Sequence, residues 1–348
     1  MLAFSHEQSM RWTSKCPIRE PSRIVPIGPW PYAETMSQNT SENTPVPTNA
    51  MSTPLVARDQ VIRWLSHPGP LTVCTHVHVD ADAAFSAALA LYMAESAGKP
   101  CTLRFLGANT VVDDADQLAV DMSNGASAIK GKGAGSAFGA LVYALPRAHP
   151  AHLALKRWAQ QLNVTDSGKK TKDKVILATQ ISAWRAIGLS DAEIVDRARE
   201  LVVGMTRKEE ATQAQLAMAN EVHITAKSKI AAIGIDEKVP SWMLFKRGAK
   251  VVVSMSENGM GIILNKKEIQ KGRSVKELTD HLPEGWFIHE AGFLASFGGS
   301  KNPMDPAESG ITFQRLQNLA ATWMNGNLDR LAPHHPGAGG GGAPAAVA

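Results

Sequence analysis

Apolar positions in the first half of the chain form short runs, each followed by a longer stretch with helical spacing. The runs at 71–75, 101–106 and 118–121 predict three strands, the first of them buried, and the Ala-rich stretch after the first predicts a helix over 82–97. Further helices are predicted at 136–145, 152–162, 175–187, 190–203 and 206–227. Because strands that alternate with helices build parallel sheets, this pattern predicts an α/β domain with a mostly parallel sheet and a helical connector.

The second half of the chain has a different pattern, with short strands and a hairpin signal. Strands at 230–235 and 250–255 lead to Ser256-Glu-Asn-Gly259, where Asn-Gly tolerates the positive φ angles of a tight turn, and 261–265 is the return strand. The remaining elements are a helix at 274–282, strands near 286–289 and 293–296, and a helix at 312–324. This order predicts a smaller α+β domain at the C-terminal side.

Both ends of the chain differ in composition from the middle. Residues 1–54 hold eight of the 20 prolines and a Ser/Thr/Asn-rich stretch, which predicts a disordered extension, with Met1 and Met51 both open as the start. Residues 332–348 are rich in Gly, Ala and Pro and predict a flexible tail. Between them we expect the α/β domain with its helical connector at 55–227 and the α+β domain at 228–331.

The overall composition excludes several classes of protein. Of the 348 residues, 44% are hydrophobic and 20% charged, as in ordinary globular proteins. The three cysteines form no CxxC pair, which argues against a disulfide scaffold and a structural zinc site and makes a reducing, cytoplasmic location the expectation. No apolar run approaches the roughly 20 residues that a membrane-spanning helix needs, so we expect no membrane partner.

Candidate metal ligands follow the first predicted strand. His76, Asp80 and Asp82 lie between the end of this strand and the start of the next helix. Ligand sites of open α/β sheets lie at the carboxyl ends of the strands, and one imidazole with two carboxylates suits Mn²⁺ or Mg²⁺. Helix capping would explain one aspartate but not all three residues. His78 is either an alternative ligand or part of the pocket wall.

More carboxylates follow the later strands. Asp113, Asp114 and Asp116 come after the second strand, Asp121 ends the third, and Asp166 is predicted in a polar turn. If these segments are neighbouring strand ends, their charges converge and require cations. Two metal ions about 4 Å apart would then activate water for attack on a phosphodiester.

The sequence around the first strand resembles the first motif of the DHH phosphoesterases. The string Thr75-His-Val-His-Val-Asp-Ala-Asp-Ala-Ala-Phe-Ser86 has that family's spacing of His, three residues, Asp, one residue, Asp, Ala, two residues, Ser. The residue before the Ser is usually small in the family, and here it is Phe85. The resemblance implies that His76, Asp80 and Asp82 are metal ligands.

Later segments, within about residues 60–325, resemble the family too. Val120-Asp-Met-Ser, followed by the stretch 135–143, resembles the segment that names the family, and Val164-Thr-Asp-Ser-Gly168 resembles a later motif in which Asp166 would be a ligand. The string Gly285-Trp-Phe-Ile-His-Glu-Ala-Gly-Phe-Leu-Ala-Ser-Phe-Gly-Gly-Ser-Lys301 resembles the glycine-rich end of the family's substrate domain. It is most similar to the branch that contains the melanocyte-proliferating-gene exonuclease.

The chain departs from the family at the two histidines of the DHH triplet. In one alignment Asp121-Met122-Ser123 stands at the triplet, and in the other Ala128-Ile129-Lys130 does, so neither supplies an imidazole pair. Three outcomes stay open: one ion is bound, Asp113 or Asp114 compensates, or catalysis is lost. The alternatives are therefore an active hydrolase, a non-catalytic binding protein of the same fold, and an unrelated α/β protein.

The second domain carries most of the positive charge. Residues 227–276 hold eleven basic and four acidic residues, a net +7, against +4 for the whole chain. Such a stretch is either a solvated face or a track for a polyanion. Glycines, a hydroxyl and a cation suit phosphate binding, and the predicted substrate-binding residues are His289, Gly292, Gly298, Gly299, Ser300 and Lys301. The loop 131–135 before the helix start at Ser136 is a second candidate anion site.

Together these observations predict a metal-dependent phosphoesterase that hydrolyses a nucleotide or a short oligonucleotide in a cleft between its two domains. The predicted metal ligands are His76, Asp80, Asp82, Asp121 and Asp166, with Mn²⁺ or Mg²⁺ as the cofactor. The predicted partner is a phosphate-containing small molecule or short oligonucleotide, and a homodimer is an open alternative to a monomer. The rival prediction is a non-catalytic nucleotide- or nucleic-acid-binding protein.

Overall fold

The computed structural model describes residues 54–123, 125, 128–130, 135–170 and 177–331. The predicted extension up to residue 53, the predicted tail and residues 131–134 of the glycine-rich loop lie outside the described residues. The chain divides into two compact units, the first ending at Thr206 and the second beginning at Arg207. The domain boundary expected at residue 227 stays a prediction.

The first unit is built on a four-stranded parallel sheet. Its strands are β1 (Leu71–His76), β2 (Cys101–Leu106), β3 (Gln117–Val120) and β4 (Ala128–Ile129). Their order in the sheet is β2-β1-β3-β4, and each neighbouring pair is parallel. The predicted α/β class and the three predicted strands are confirmed, whereas the two-residue strand β4 had no periodic signal to reveal it.

Among the described residues, six helices lie in this unit or begin in it. They are α1 (Pro54–Leu65), α2 (Ala81–Ser96), α3 (Ala137–Ala144), α4 (Pro150–Asp166), α5 (Leu177–Ala186) and α6 (Asp191–Glu221). Helix α2 is buried almost all round, since it packs against β1, α3 and α4. Phe85, the departure from the family motif, is fully buried there, with its ring edge-on to those of Phe138 and Trp158 at centroid distances of 5.9 and 5.5 Å.

Two local predictions in this unit are wrong. The helices predicted at 190–203 and 206–227 are replaced by the single helix α6, which ends at Glu221. Its backbone stays helical through Thr206, whose hydroxyl donates to the Val202 carbonyl. The polar turn predicted around Asp166 is the last turn of α4. The Thr165 hydroxyl donates to the Gln161 carbonyl, so this polar segment is compatible with a helix.

The second unit has a five-stranded mixed sheet. Its strands are β5 (Ile230–Ile233), β6 (Val251–Ser256), β7 (Gly259–Leu264), β8 (Phe287–Ile288) and β9 (Leu294–Gly298). The order is β5-β6-β7-β9-β8, with β5 and β6 parallel and all other pairs antiparallel. The predicted hairpin is confirmed, since β6 and β7 pair from Val251 with Leu264 to Ser256 with Gly259.

Helices complete this α+β unit. They are α7 (Ser241–Lys246), α8 (Lys266–Ile269), α9 (Phe313–Met324) and the 3-10 helices Val275–His281, Pro306–Ser309 and Leu328–Arg330. The helix predicted at 274–282 is thus a 3-10 helix, which starts with a capping box between Ser274 and Glu277. Helix α9 packs Leu316 and Trp323 into the core of this unit. Among the described helices, none has both the length and the apolar content that a bilayer crossing requires.

Candidate metal centre

The candidate site lies where the order of the parallel sheet reverses. From β1 the chain first adds β2 on one side and then β3 on the other, so the carboxyl ends of β1 and β3 flank the switch point. Open α/β sheets bind ligands at such points. Cys74 pairs with Ala119 in the β1–β3 register, and the next residues along both strands bring His76 opposite Asp121.

Three of the predicted ligands converge here. One ligand atom from each of His76, Asp80 and Asp121 lies within 4.8 Å of those of the other two. His76 ends β1, Asp80 precedes α2, and Asp121 directly follows β3. Within the described part of the chain, this is the one cluster of three or more such groups that could hold a metal ion, and His78 is outside it.

The imidazole of His76 is oriented by hydrogen bonds at both ring nitrogens. Nδ1 lies 2.9 Å from the Val77 carbonyl, to which it donates, and Nε2 lies 3.3 Å from Oδ2 of Asp121. The hydrogen bond with Asp121 raises the pKa of His76 to about 9, against the opposing effect of burial. Without a metal ion the ring is therefore protonated at neutral pH, and Nε2 donates to Asp121. A metal ion would replace the Nε2 proton, while the Val77 carbonyl keeps the other proton on Nδ1, as in metal-binding histidines.

Asp121 is held by its own backbone. Its φ angle is +53°, a left-handed conformation that aspartate tolerates better than most residues. Its N–H donates to the Ile129 carbonyl at 3.0 Å, so the short strand β4 fixes the point at which the chain leaves β3. The side chain is 6% exposed, and its charge is therefore poorly screened by water.

Asp80 has a second role as the N-cap of α2. Its Oδ1 accepts a hydrogen bond from the Ala83 N–H at 3.0 Å. Asp80 is exposed, and no hydrogen bond to Oδ2 is found among the described residues. The cap fixes the position of the carboxylate and leaves one oxygen available to a ligand.

Asp82 is placed differently from the other predicted ligands. It is 4% exposed, and its oxygens accept hydrogen bonds from the N–H groups of Ala137 and Phe138, at 2.7 and 2.8 Å, and from the Ser86 hydroxyl at 3.3 Å. Burial raises its pKa well above the usual value, and the negative charge of Asp121 raises it further. Asp82 therefore ties α2 to the start of α3 and also lies within the electrostatic field of the cluster.

Asp166, the last residue of α4, is half-buried and close enough for its charge to raise the pKa of Asp82.

Three further predicted carboxylates do not join the cluster of His76, Asp80 and Asp121: these are Asp113, Asp114 and Asp116. They precede β3, and the Asp116 carbonyl accepts from the N–H of Thr72 near the start of β1. They are outside the group of described side chains that could hold a metal ion, so the convergence considered for Asp113 and Asp114 is not found.

The two segments that align with the family's triplet have no imidazole to offer. Met122 is buried in a small apolar cluster with Cys74 and Val112, and the Ser123 N–H donates to the Ala108 carbonyl at 2.9 Å. Ala128 and Ile129 form β4 and are buried. His76 is therefore the one histidine in the cluster that the described residues form.

The start of α3 has its described N–H groups occupied by side chains of the protein. The first two amide groups, of Ala137 and Phe138, donate to Asp82, and the Gly139 N–H donates to the Ser136 hydroxyl. The anion site considered for this helix start is therefore filled from within the chain, whereas residues 131–134 of the preceding loop lie outside the described part.

The loop between His76 and Asp80 is fastened by two residues that the sequence analysis did not single out. Asp191 accepts hydrogen bonds from the backbone N–H groups of His78 and Val79, at 2.6 and 3.2 Å. Arg185 donates to the Val79 carbonyl at 2.8 Å. More than 100 residues separate Asp191 from this loop, so no local sequence pattern could have revealed the contact.

The predicted substrate residues of the second unit fall into two groups. His289 and Gly292 form a turn before β9, in which the Ala291 N–H donates to Nδ1 of His289 at 3.1 Å. A Cβ atom at Gly292 would lie 2.1 Å from the Ser274 hydroxyl, so close packing against Ser274 is a sufficient reason for glycine at this position. The second group lies at the other end of β9, about 14 Å along the strand, and consists of Gly298, Gly299, Ser300 and Lys301.

In the second group, the backbone N–H of Gly299 is already hydrogen-bonded within the protein and is not free to bind a phosphate. The Gly299 N–H donates to the Asn258 carbonyl at 2.7 Å, and the Gly299 carbonyl accepts from Asn302 at 3.1 Å. Ser300 and Lys301 are exposed. An anion at this turn would therefore bind to the side chains of Ser300 and Lys301.

Comparisons with solved structures give weak similarities. The chain is 15% identical to RecJ in complex with Mg²⁺ from Thermus thermophilus over 82% of its length, with a TM-score of 0.27, and spans 54% of that longer chain. It is 12% identical to exonuclease RecJ bound to manganese, covering 81% of this chain and 96% of that one, with a TM-score of 0.28.

An exopolyphosphatase-related protein from Bacteroides fragilis is 10% identical, covering 78% of this chain and 97% of that one, with a TM-score of 0.23. No protein-family model and no curated protein matches the sequence. Similarity at this level assigns no function to the chain.

Proposed function

We propose that the protein is a metal-dependent phosphoesterase of the DHH type that acts on a nucleotide or a short oligonucleotide. The observation that carries the proposal is the convergence of His76, Asp80 and Asp121 at the switch point of a parallel sheet. Imidazole nitrogen and carboxylate oxygen are the donor set that Mn²⁺ and Mg²⁺ accept. The branch of the family, the substrate and its length are parts of this proposal.

The electrostatics of the cluster support a cation. The charges of Asp121 and Asp166 both raise the pKa of the buried Asp82, so several carboxylates lie close together at low dielectric. A bound cation would relieve this repulsion. In the proposed ligand set His76, Asp80 and Asp121 contact the ion directly, and Asp82 and Asp166 complete the set.

Each residue has a distinct part in the proposed reaction. A bound divalent ion stabilises negative charge on the phosphoryl oxygens and lowers the pKa of water. The Val77 carbonyl keeps the proton of His76 on Nδ1, so that Nε2 faces the site. The N-cap bond fixes Asp80, and β4 fixes Asp121, so the ligand positions are set before the substrate binds.

We assign substrate binding to the second unit. The hydrogen bond from Ala291 to Nδ1 of His289 leaves the proton on Nε2, which can donate to a phosphate oxygen. Ser300 and Lys301 offer an exposed hydroxyl and an exposed cation. Gly292, Gly298 and Gly299 complete the proposed set by allowing the backbone turns that present these side chains.

A non-catalytic nucleotide- or nucleic-acid-binding protein is the second candidate. The observation that favours it is the environment of Asp82, whose two oxygens already accept three hydrogen bonds. With no imidazole pair in the triplet segments, a second ion would have few ligands. This candidate predicts nucleotide binding without turnover.

Hydrolysis of a five-nucleotide DNA in the presence of Mn²⁺ tests the proposal. The matched variant is Asp80→Ser, because serine keeps an N-cap for α2 but removes the carboxylate. We expect mononucleotide release by the wild type, its loss with EDTA, and at least about a 100-fold lower rate for Asp80→Ser with an unchanged melting temperature. Metal-sensitive binding of the DNA without release supports the second candidate, and neither binding nor release contradicts both.

A further inference from the structure

The loop from Val77 to Asp80 has to make a turn between two proposed ligands. His78 has a φ angle of +56°, a left-handed conformation that costs free energy for a residue other than glycine. The N–H groups of His78 and Val79 consequently point in the same direction and form a concave donor pair. Such a pair of consecutive amides binds anions.

The carboxylate of Asp191 occupies this pair. Its Oδ2 accepts from the His78 N–H at 2.6 Å, and its Oδ1 accepts from the Val79 N–H at 3.2 Å. Because the carboxylate spans both amides, it opposes rotation of the peptide between them. The unusual conformation of His78 is thus held by a contact from outside the loop.

Arg185 fixes the carboxylate in turn. Its Nη2 donates to Oδ1 of Asp191 at 3.1 Å and to the Val79 carbonyl at 2.8 Å. The Arg185 side chain is 40% exposed, so the ion pair adds little stability through charge alone. The geometry matters more, since the guanidinium connects the carboxylate and the loop backbone in one hydrogen-bonded ring.

Capping of α6 does not account for Asp191. Ser190 and Glu193 already form a capping box, in which the Ser190 N–H donates to Glu193 at 2.8 Å and the Glu193 N–H donates back to the Ser190 hydroxyl at 3.4 Å. Asp191 is the first residue of the helix, and its side chain is turned to the loop instead.

We infer that Asp191, held by Arg185, is a positioning residue that sets the distance between Asp80 and His76 in the metal centre. The inference rests on the proposed function. Partners that orient metal ligands commonly change metal affinity by about 10- to 100-fold when they are removed. Asp191→Ala frees the two amides and lets the loop relax, which displaces Asp80 from the other two ligands.

Mn²⁺ titration of the full chain, followed by the electron paramagnetic resonance signal of free Mn²⁺, tests this inference without relying on turnover. The variants are Asp191→Ala, Asp191→Asn and Ser190→Ala, each also checked for its melting temperature. Ser190→Ala is the matched control, because it removes the N-cap of the same helix but leaves the loop contact. Asp191→Asn keeps one of the two acceptor oxygens.

The expected result is Mn²⁺ binding about 10- to 100-fold weaker for Asp191→Ala, intermediate for Asp191→Asn and unchanged for Ser190→Ala. Equal loss in Asp191→Ala and Ser190→Ala would mean general weakening of α6 and would overturn the inference. Wild-type affinity in Asp191→Ala would overturn it as well, with the proposed function intact. A wild type that binds no Mn²⁺ at millimolar concentration overturns the proposed function itself.

Discussion

At the residue scale, Asp82 combines a structural and an electrostatic role. Its carboxylate accepts two backbone hydrogen bonds at the start of α3, which favours the charged form, while burial and the charges of Asp121 and Asp166 favour the neutral form. The net effect is a raised pKa. A buried carboxylate whose pKa is strongly shifted by burial and by neighbouring charges is typical of functional sites.

Asp82→Ala tests the structural role. The change leaves two buried N–H groups without acceptors, at about 1–3 kcal/mol each, so we expect the free energy of unfolding to fall by at least about 2 kcal/mol. Urea denaturation in EDTA measures it. Ser86→Ala is the control, since it removes one long hydrogen bond and is expected to cost less than about 1 kcal/mol. A fully stable Asp82→Ala that loses only metal binding would show that Asp82 serves as a ligand alone.

The sequence predicts this site to the extent that its residues directly follow apolar strands. His76 and Asp80 follow from an apolar strand that ends in polar residues, and Asp121 follows from the same pattern at the third strand. Asp191 and Arg185 contact the loop across long sequence separations, and the position of Asp113 outside the cluster depends on the path of the chain after β2. Tertiary placement of this kind leaves no periodic signal.

At the scale of elements, the close packing of α3 on α4 positions Asp82's partners. Asn163 of α4 accepts hydrogen bonds from both the N–H and the hydroxyl of Ser136, at 2.8 Å each. Ser136 is the N-cap of α3. A Cβ atom at Gly139 would lie 2.1 Å from the same Asn163 oxygen, so the two helices approach this closely only because residue 139 is glycine.

Gly139→Ala is therefore expected to destabilise the protein, although alanine usually stabilises a helix. Gly204→Ala is the control, because a Cβ atom at Gly204 in α6 meets nothing within 4 Å. We expect a loss of about 1–3 kcal/mol at residue 139 and a gain of up to about 1 kcal/mol at residue 204, measured by urea denaturation. Gains at both positions would show that α3 and α4 can separate without cost.

The start of α4 gives a prediction about pH. Nδ1 of His149, the N-cap, accepts a hydrogen bond from the Ala151 N–H at 3.1 Å, and burial lowers the pKa of His149, with a further contribution from His152. The unfolded chain therefore takes up this proton at a higher pH than the folded one. The stabilisation by neutral His149 is complete above about pH 6.5 and declines as the pH falls from there towards the lowered pKa.

His149→Asn keeps a capping side chain and removes the titration. We expect the wild type to lose more stability than the variant between pH 7 and pH 5, in urea denaturation with EDTA present. Parallel losses in the two proteins would contradict this assignment.

Elements are predicted well where periodicity and local signals agree, as in β1, β2 and the Asn-Gly hairpin. The prediction fails at α6, where the two predicted helices at 190–203 and 206–227 are one helix, and at the end of α4. The segment 164–168 indicates a polar turn when considered alone. In the folded chain the hydroxyl groups of Thr165 and Ser167 donate to carbonyls of the preceding turn, and the helix continues to Asp166.

At the scale of the whole molecule, opposite charges are separated along the chain. The first unit has the carboxylate cluster, and the stretch 227–276 of the second has the net charge of +7. Part of this positive charge is used internally, since the buried Glu268 pairs with Lys271 and Arg273. Lys266 and Lys267 are exposed and available to a polyanion.

The most direct test of the metal centre is a crystal structure of the full chain grown or soaked with Mn²⁺, using anomalous scattering to locate the ion. We predict a peak about 2.0–2.5 Å from Nε2 of His76 and from one oxygen each of Asp80 and Asp121. The same experiment on Asp80→Ser should show a weaker peak or none. A well-ordered cluster without a peak at saturating Mn²⁺, or a peak only elsewhere, would contradict the proposed centre.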